Sequence, residues 1–163
     1  MGSIGQEIGC LLIKKGLTLG VVESATGGLI SHLITDVPGS SDYFKGSITA
    51  YSNHLKINLV GVNGQIIRKY GAVSPQVVGE MAEGGKRVLN VDICLADSGI
   101  AGPSGTTQVK SVGLFYIGLS SATGTSSRKY RFGGNRKQNK QAAAEAALSW
   151  LREYLLDLDM QKG

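Results

Sequence analysis

Four polar side chains follow segments that are typical of buried strands, and together they could carry out nucleophilic catalysis. Ser24 follows "LTLGVVE", Tyr51 and Lys56 follow "KGSITA", and Ser98 follows "VDICLAD". In layered α/β proteins, ligands collect at the carboxyl ends of the strands, so we expect these residues to converge near one cleft. A serine there becomes an effective nucleophile only when a neighbouring base removes its proton.

The base that suits this pattern best is a lysine. His32 falls in a predicted helix and His54 in a polar loop, and the sequence has no Gly-x-Ser-x-Gly turn, so a Ser-His-Asp hydrolase is disfavoured. Lys56 can act as a base if its surroundings favour the neutral amine, with Tyr51 as a relay or orienting group. A lone loop lysine is more often a solvated charge, so the residues by themselves leave this pair as a minority hypothesis.

The stretch "VVESATGG", residues 21–28, permits two interpretations. Ser24 or Thr26 could cap the following helix, with the glycines relieving a tight strand-to-helix turn. Alternatively, backbone N–H groups at the helix start could hold an anion or a developing oxyanion. Residues 21–28 by themselves do not decide between the two interpretations.

The order of predicted elements indicates one layered α/β domain over residues 1–163. Two adjacent strands interrupt an otherwise alternating pattern, which predicts a mixed sheet with helices on both faces. Helices are predicted over residues 4–15, 27–35, 53–59, 63–70, 74–90 and 135–158, and strands over residues 17–23, 45–52, 91–99, 112–122 and 125–132.

Composition restricts the classes of protein. The 163 residues are 42% hydrophobic and 18% charged, as in a soluble globular protein, and no stretch approaches the ~20 apolar residues that span a bilayer. The first residues show no basic region ahead of an apolar core, so we predict no signal peptide and a cytoplasmic location. Cys10 and Cys94 have no metal-binding spacing and are predicted to be small core residues.

The net charge of +5 has a concentrated source. Six cationic side chains lie within thirteen residues that contain no acidic residue: Arg128, Lys129, Arg131, Arg136, Lys137 and Lys140. A solvated basic face, a phosphate-bearing ligand and a nucleic acid would each account for them. Nucleic acid is disfavoured, because only Tyr130 and Phe132 interleave with the charges and no nucleic-acid motif is present.

Three long blocks of the sequence resemble a known family. "VESATGGLISHLITDVPGSSDYFKGSITAYSNHLKINLVGV", "GAVSPQVVGEMAEG" and "SGIAGPSGTT" are similar to the CinA C-terminal domain family, in family order from about Leu17 to Leu151. Its stand-alone members are nicotinamide mononucleotide deamidases. The resemblance implies a three-layer α/β/α sandwich with a mixed, mostly parallel sheet, and the single-domain form of the family. It also implies a homodimer and an amidohydrolase that acts on a pyridine mononucleotide without a metal or other cofactor.

The resemblance also implies roles for individual residues. The family's nucleophile falls on Ser24, and its tyrosine and lysine fall on Tyr51 and Lys56. Its threonine is matched by Ser98 and its arginine by Arg136. We expect the oxyanion to be held by N–H groups of the turn Thr26-Gly27-Gly28. The substrate is expected to lie along Ser98 and Gly99, with its phosphate against Arg136 or the loop Gly102–Gly105.

Several positions depart from the family pattern. Ala25 replaces a usual cysteine, Asp97 an apolar residue and Asn135 an aspartate; Asn139-Lys140 replaces an apolar residue and arginine, and Ser111 a proline. A buried carboxylate at position 97 is costly unless paired, and it would favour the charged form of Lys56. These departures leave a nucleotide-binding module without turnover as an alternative to the amidase. A weaker alternative, a nucleic-acid-binding domain, comes from the six cationic side chains.

Overall fold

The computed structural model describes residues 2–161 of the chain. Within this part, the helices and strands follow the predicted order, with boundaries that differ by a few residues. The helices are α1 Ile4–Lys15, α2 Leu29–Thr35, α3 Asn53–Val60, α4 Gly64–Tyr70, α5 Pro75–Leu89 and α6 Arg136–Met160, and the strands are β1 Leu19–Glu23, β2 Phe44–Thr49, β3 Ile93–Gly99, β4 Leu114–Ser121 and β5 Gly124–Arg131.

The five strands form one mixed sheet in the order β2-β1-β3-β4-β5. Strand β1 pairs in parallel with both β2 and β3, whereas β4 is antiparallel to β3 and to β5. Four of the five strands therefore run in one direction. Because β2, β1 and β3 are parallel neighbours, their carboxyl ends meet at one edge of the sheet, which is where ligands bind in open α/β folds.

Two apolar clusters separate the helices into layers on opposite faces of the sheet. Successive side chains of a strand point to opposite faces, and β3 shows this directly. Ile93 and Leu95 join the cluster that includes residues of α1, α2 and α6, whereas Cys94 and Ala96 join the cluster formed with α3, α4 and α5. The predicted α/β sandwich is thus confirmed.

Capping residues set several of the helix boundaries. Ser3 and Gln6 form a capping box at the start of α1, and Gly16 ends it in the left-handed conformation. Helix α5 begins at Pro75 after the N-cap Ser74, as predicted. The prediction for the cysteines is half right: Cys94 is buried, but Cys10 is exposed because it lies on the outer side of α1. No helix among residues 2–161 is long and apolar enough to span a membrane.

Helix α5 packs closely on both α3 and the sheet because it lacks side chains at two positions. A β-carbon on Gly84 would lie 1.7 Å from the carbonyl oxygen of Val60, the last residue of α3, and one on Gly85 would lie 2.3 Å from Val22. The neighbouring Gly79 has more room, since its β-carbon would lie 3.7 Å from Thr125. The close approach at Gly84 holds α3 against α5.

We predict opposite effects for two glycine substitutions in α5. Gly84→Ala should lower the free energy of unfolding by about 2 kcal/mol or more, because backbone must move to make room. Gly79→Ala is the matched control and should leave stability unchanged or raise it by up to about 1 kcal/mol, because alanine favours the helix. Urea unfolding of both variants measures the difference. Equal stabilities would show that α5 does not press on α3 as described.

Candidate active site

Ser24 and Lys56 lie in contact at the carboxyl edge of the sheet. Ser24 directly follows β1, and Lys56 lies in α3, which follows β2. The Nζ atom of Lys56 is 2.9 Å from the Oγ atom of Ser24. A nucleophile and a base in hydrogen-bond contact are the pair that covalent catalysis needs.

Two carbonyl groups aim the Lys56 amine at the serine. Its Nζ atom lies 2.9 Å from the carbonyl oxygen of Ala50 and 3.1 Å from that of Tyr51. A neutral amine has two hydrogens, which these carbonyls accept, so its lone pair is left to point at Ser24. The side chain is only 2% exposed, and burial lowers the pKa of Lys56, an effect that the charge of Asp97 opposes. Both the orientation and the burial favour a lysine that can act as a base.

Helix α3 brings Lys56 to this position. Ser52 caps the helix by accepting a hydrogen bond from the Leu55 N–H. Lys56 and Val60, four residues apart, form the buried side of the helix, while most other α3 residues are exposed. Because Val60 touches Gly84 of α5, the packing of α5 also sets the position of the lysine.

Residues 24–28, which we call the nucleophile turn, rest on two buried carboxyl groups. Asp97 of β3 accepts hydrogen bonds from the N–H of Ser24 at 2.9 Å and that of Thr26 at 3.1 Å. Glu23 accepts the Gly28 N–H at 3.2 Å, and the N–H of Gly27 donates to the Ser24 carbonyl. The N–H groups of Thr26, Gly27 and Gly28, predicted to form the oxyanion hole, therefore all have acceptors already, so this geometry does not favour them as oxyanion donors.

The Ala25 N–H is the exception in the nucleophile turn. Within residues 2–161 it has no acceptor, and Ala25 lines the same cavity as Ser24 and Lys56. The residue after the nucleophile donates to the oxyanion in α/β-hydrolases as well. Ala25 replaces Thr26 to Gly28 as the donor that this geometry favours.

Tyr51 contributes differently from the predicted relay. Its main-chain carbonyl holds Lys56, while its side chain is 60% exposed and its hydroxyl accepts a hydrogen bond from Arg136 at 3.2 Å. Among the described residues, no hydrogen bond joins the hydroxyl to Ser24 or Lys56. Arg136 also donates to the Gly102 carbonyl at 2.8 Å, so it links the tyrosine to the glycine-rich loop.

The remaining predicted residues line or shape the cavity. Ser98 and Gly99 lie in its wall with Ser24, Lys56 and Arg136, and the cavity measures about 270 Å³. The Ser98 hydroxyl donates to the Ala72 carbonyl at 2.7 Å, so it supports the wall rather than facing a ligand freely. A β-carbon on Gly99 would lie 2.3 Å from Phe115, so this position needs glycine.

The predicted cationic cluster is divided among separate places. Arg128 forms a bidentate ion pair with Glu153 and covers the Trp150 ring at 4.6 Å. Lys137 and Lys140, together with Arg136, line a second cavity of about 590 Å³ beside Thr26, Gly27 and Gly28. Arg136 borders both cavities. Arg128 and the group of Arg136, Lys137 and Lys140 therefore lie at different cavities.

Two carboxylates hold the nucleophile turn and the start of α2. Asp97 appeared as a departure from the family pattern, and its bonds to the nucleophile turn were not foreseen. Glu23 accepts the N–H groups of Gly28, Ile30 and Ser31 and so caps α2. The sequence did contain a signal for these roles. Both carboxylates lie at the ends of apolar strands, where N–H groups without partners need acceptors. Among residues 2–161, no group of three or more His, Cys, Asp and Glu could hold a metal ion.

Comparisons with known proteins agree with the sequence blocks. The family model for the CinA C-terminal domain matches residues 2–155. The chain belongs to this family. Two similar relatives are a protein of Halothermothrix orenii named as competence-damage inducible, 49% identical, and a CinA-like protein of Thermotoga neapolitana, 47% identical. These alignments cover 94% and 92% of the chain but only 37% of each relative, so the chain spans little more than a third of their length.

Solved CinA structures share the fold over almost the whole chain. The competence damage-inducible protein A of Klebsiella pneumoniae is 26% identical with a TM-score of 0.91, covering 94% of this chain and 95% of that one. The competence/damage inducible protein of Agrobacterium tumefaciens is 30% identical with a TM-score of 0.84, covering 93% and 95%. The CinA sandwich is therefore the scaffold that holds Ser24 and Lys56.

We predict that Asp97 makes the stability of this CinA domain depend on pH. Burial raises the pKa of Asp97 to about 6, against the lowering effect of hydrogen bonds from the Thr26 hydroxyl and Ser24 N–H. Between its unfolded pKa of about 4 and about 6, the folded chain binds more protons, so stability falls as pH rises. The loss should be about 2 kcal/mol between pH 4 and pH 7, since two pKa units at about 1.4 kcal/mol each set the upper limit and part of the change lies below pH 4.

Urea unfolding across this pH range tests the prediction with two aspartate variants. Asp97→Asn should lack the decline, whereas Asp92→Asn should keep it, because Asp92 is an exposed residue next to the opposite end of β3. Parallel pH curves for the wild type and Asp97→Asn would show that Asp97 titrates normally.

Proposed function

We propose that this chain is an amidohydrolase that converts nicotinamide mononucleotide to nicotinate mononucleotide and ammonia. The observation that carries the proposal is the 2.9 Å contact between Ser24 and a buried Lys56 whose hydrogens are held by two carbonyls. Membership of the CinA family supplies the expectation of a pyridine mononucleotide as the substrate. The names of the relatives state no such activity.

The reaction begins with proton transfer from Ser24 to Lys56. The Ser24 Oγ atom attacks the carboxamide carbon, and the oxyanion that forms accepts a hydrogen bond from the Ala25 N–H. Lys56 then returns its proton to the leaving nitrogen as the carbon–nitrogen bond breaks, which releases ammonia and leaves an ester on Ser24. Lys56 next removes a proton from water, which attacks the ester, and finally reprotonates Ser24. One lysine therefore carries every proton of the cycle.

The shape of the site suits an amide with a distant negative charge. The smaller cavity, at about 270 Å³, can take the carboxamide and ring beside Ser24. Arg136 lies between this cavity and the larger one, so a phosphate directed away from Ser24 would meet its guanidinium. The proposal therefore includes the phosphate contact predicted for Arg136.

The first test of the amidase is ammonia release from nicotinamide mononucleotide. Ser24→Ala and Lys56→Met should each lower kcat by about 10³-fold or more, because the nucleophile and base act as a unit. Ser41→Ala, in an exposed turn, is the control and should keep the wild-type rate. Turnover of Ser24→Ala at the wild-type rate would exclude the assigned nucleophile.

The alternative to the amidase is a nucleotide-binding module without turnover. Asp97 favours it, because its negative charge stabilises the protonated Lys56 that cannot act as a base. Calorimetric binding of the mononucleotide without any ammonia release by the wild type would establish the module in place of the enzyme.

A second prediction concerns the phosphate. Arg136→Gln should lower kcat/KM for nicotinamide mononucleotide by about ten- to a hundredfold, since hydrogen bonds to charged groups are worth about 1.5–3 kcal/mol. Nicotinamide riboside has no phosphate, so its much slower hydrolysis should change little. Arg131→Gln, which loses a contact to Ser111 away from the cavity, is the control. Equal losses with both substrates would show that Arg136 supports the site through Tyr51 and Gly102 instead.

A further inference from the structure

Asp97 is a fully buried carboxyl group directly beneath the nucleophile turn. The parallel pairing of β1 with β3 ends at Val22 and Ala96, and Asp97 is the next residue of β3. Its two oxygens accept the N–H groups of Ser24 and Thr26 at 2.9 and 3.1 Å. The side chain thus continues the connection between the strands where the main-chain ladder stops, and it holds the turn on both sides of Ala25.

We propose that Asp97 positions the nucleophile turn and that its negative charge opposes the loss of a proton from Lys56. This role rests on the Ser24–Lys56 chemistry proposed above and adds a residue that controls it.

The hydroxyl group of Thr26 lies between Glu23 and Asp97, and its two contacts indicate which carboxyl group binds an extra proton. The Thr26 Oγ atom lies 2.6 Å from a Glu23 oxygen and 2.5 Å from an Asp97 oxygen. A hydroxyl has one hydrogen, so one of these short contacts lacks a hydrogen when both carboxyls are ionised. A proton on Asp97 completes the chain, because Asp97 then donates to Thr26 and Thr26 donates to Glu23.

Glu23 is the better acceptor of the two carboxyls. It also accepts the N–H groups of Gly28, Ile30 and Ser31, at 3.2, 2.8 and 3.0 Å, and the Ser31 hydroxyl at 2.6 Å. Both Glu23 oxygens therefore already meet N–H and O–H donors, and the position that still lacks a hydrogen is the Asp97–Thr26 contact. The pKa of Asp97, raised by burial to about 6, agrees with this distribution.

The charged groups around Asp97 are few. Glu23 faces Asp97 from β1, and the charge of Asp97 raises the pKa of Lys56 in α3. The paired residue on β4 is the apolar Ile117, and α6 packs the uncharged Ala143 against the Ala25 side of the turn. On α6, the amine of Lys140 lies beside Gly27. Lys56 therefore experiences the Asp97 charge with little competition.

The charge has a direct consequence for the base. Above pH 6, ionised Asp97 favours the ammonium form of Lys56, whereas burial favours the neutral amine. Replacing Asp97 by asparagine removes the charge and keeps one acceptor oxygen for the turn. Lys56 should then lose its proton at a lower pH.

The pH dependence of ammonia release tests this effect. In Asp97→Asn, the rising limb of kcat/KM should move to lower pH by about one unit or more, the size expected for a nearby charge. On that limb each unit corresponds to about a tenfold rate difference. The maximal rate should fall, because one N–H of the turn loses its acceptor. Asp92→Asn should leave the limb in place, and an unmoved limb in Asp97→Asn would overturn the proposal.

A second measurement needs no turnover. In protein labelled with ¹³C at the lysine ε-carbon, the Lys56 signal is assigned by its loss in Lys56→Met. Its titration midpoint should be lower in Asp97→Asn, and in the wild type it should show an additional inflection near pH 6, where Asp97 ionises. The wild-type inflection alone tests whether the charge of Asp97 acts on Lys56, even if Asp97→Asn does not fold.

These two readouts separate the proposals. A wild type without turnover but with the inflection would remove the amidase and keep the charge coupling. Turnover with neither inflection nor midpoint shift would keep the amidase and remove the role of Asp97.

Discussion

The burial of one amine beside one hydroxyl is the constraint that organises this protein. Three oxygens surround the Lys56 amine within 3.1 Å, and they satisfy it in both protonation states. As an ammonium it donates to all three, and as a neutral amine it donates to the two carbonyls and accepts from Ser24. No heavy atom needs to move when the proton passes between Ser24 and Lys56. The site therefore suits general base chemistry and general acid chemistry in turn.

The buried carboxyls meet a second requirement that conflicts with the first. A sharp turn from a strand into a helix leaves N–H groups without partners, and Glu23 and Asp97 provide acceptors for them. Negative charge beneath the turn also stabilises a positive Lys56, which opposes its use as a base. Below about pH 6, a proton on Asp97 reduces this conflict, because it removes one charge and preserves the hydrogen bonds through Thr26.

The sequence predicted the scaffold better than the details of the site. Alternating apolar patterns and caps such as Ser74-Pro75 located the elements, and the rule that parallel strands share an edge brought Ser24 and Lys56 together. The sequence could not predict which N–H group of the nucleophile turn is free. A change of one residue in how the turn folds decides whether that group belongs to Ala25 or to Thr26. Tyr51 shows the same limit. Its contact with Lys56 is made by the main-chain carbonyl, whereas reasoning from residue types predicts roles only for side chains.

The strand order has a consequence for how the proposed catalytic site is assembled during folding. Strand β1 carries the nucleophile and lies between β2 and β3, both of which follow it in the chain. The α5 helix and the β4–β5 hairpin can form from local contacts, but Ser24, Lys56 and Asp97 meet only after distant segments pair on both sides of β1. Partly folded chains in which β1 has not paired with β2 contain no Ser24–Lys56 contact, however rich they are in secondary structure. Hydrolytic activity would therefore report completion of the sheet centre, whereas helix content would not.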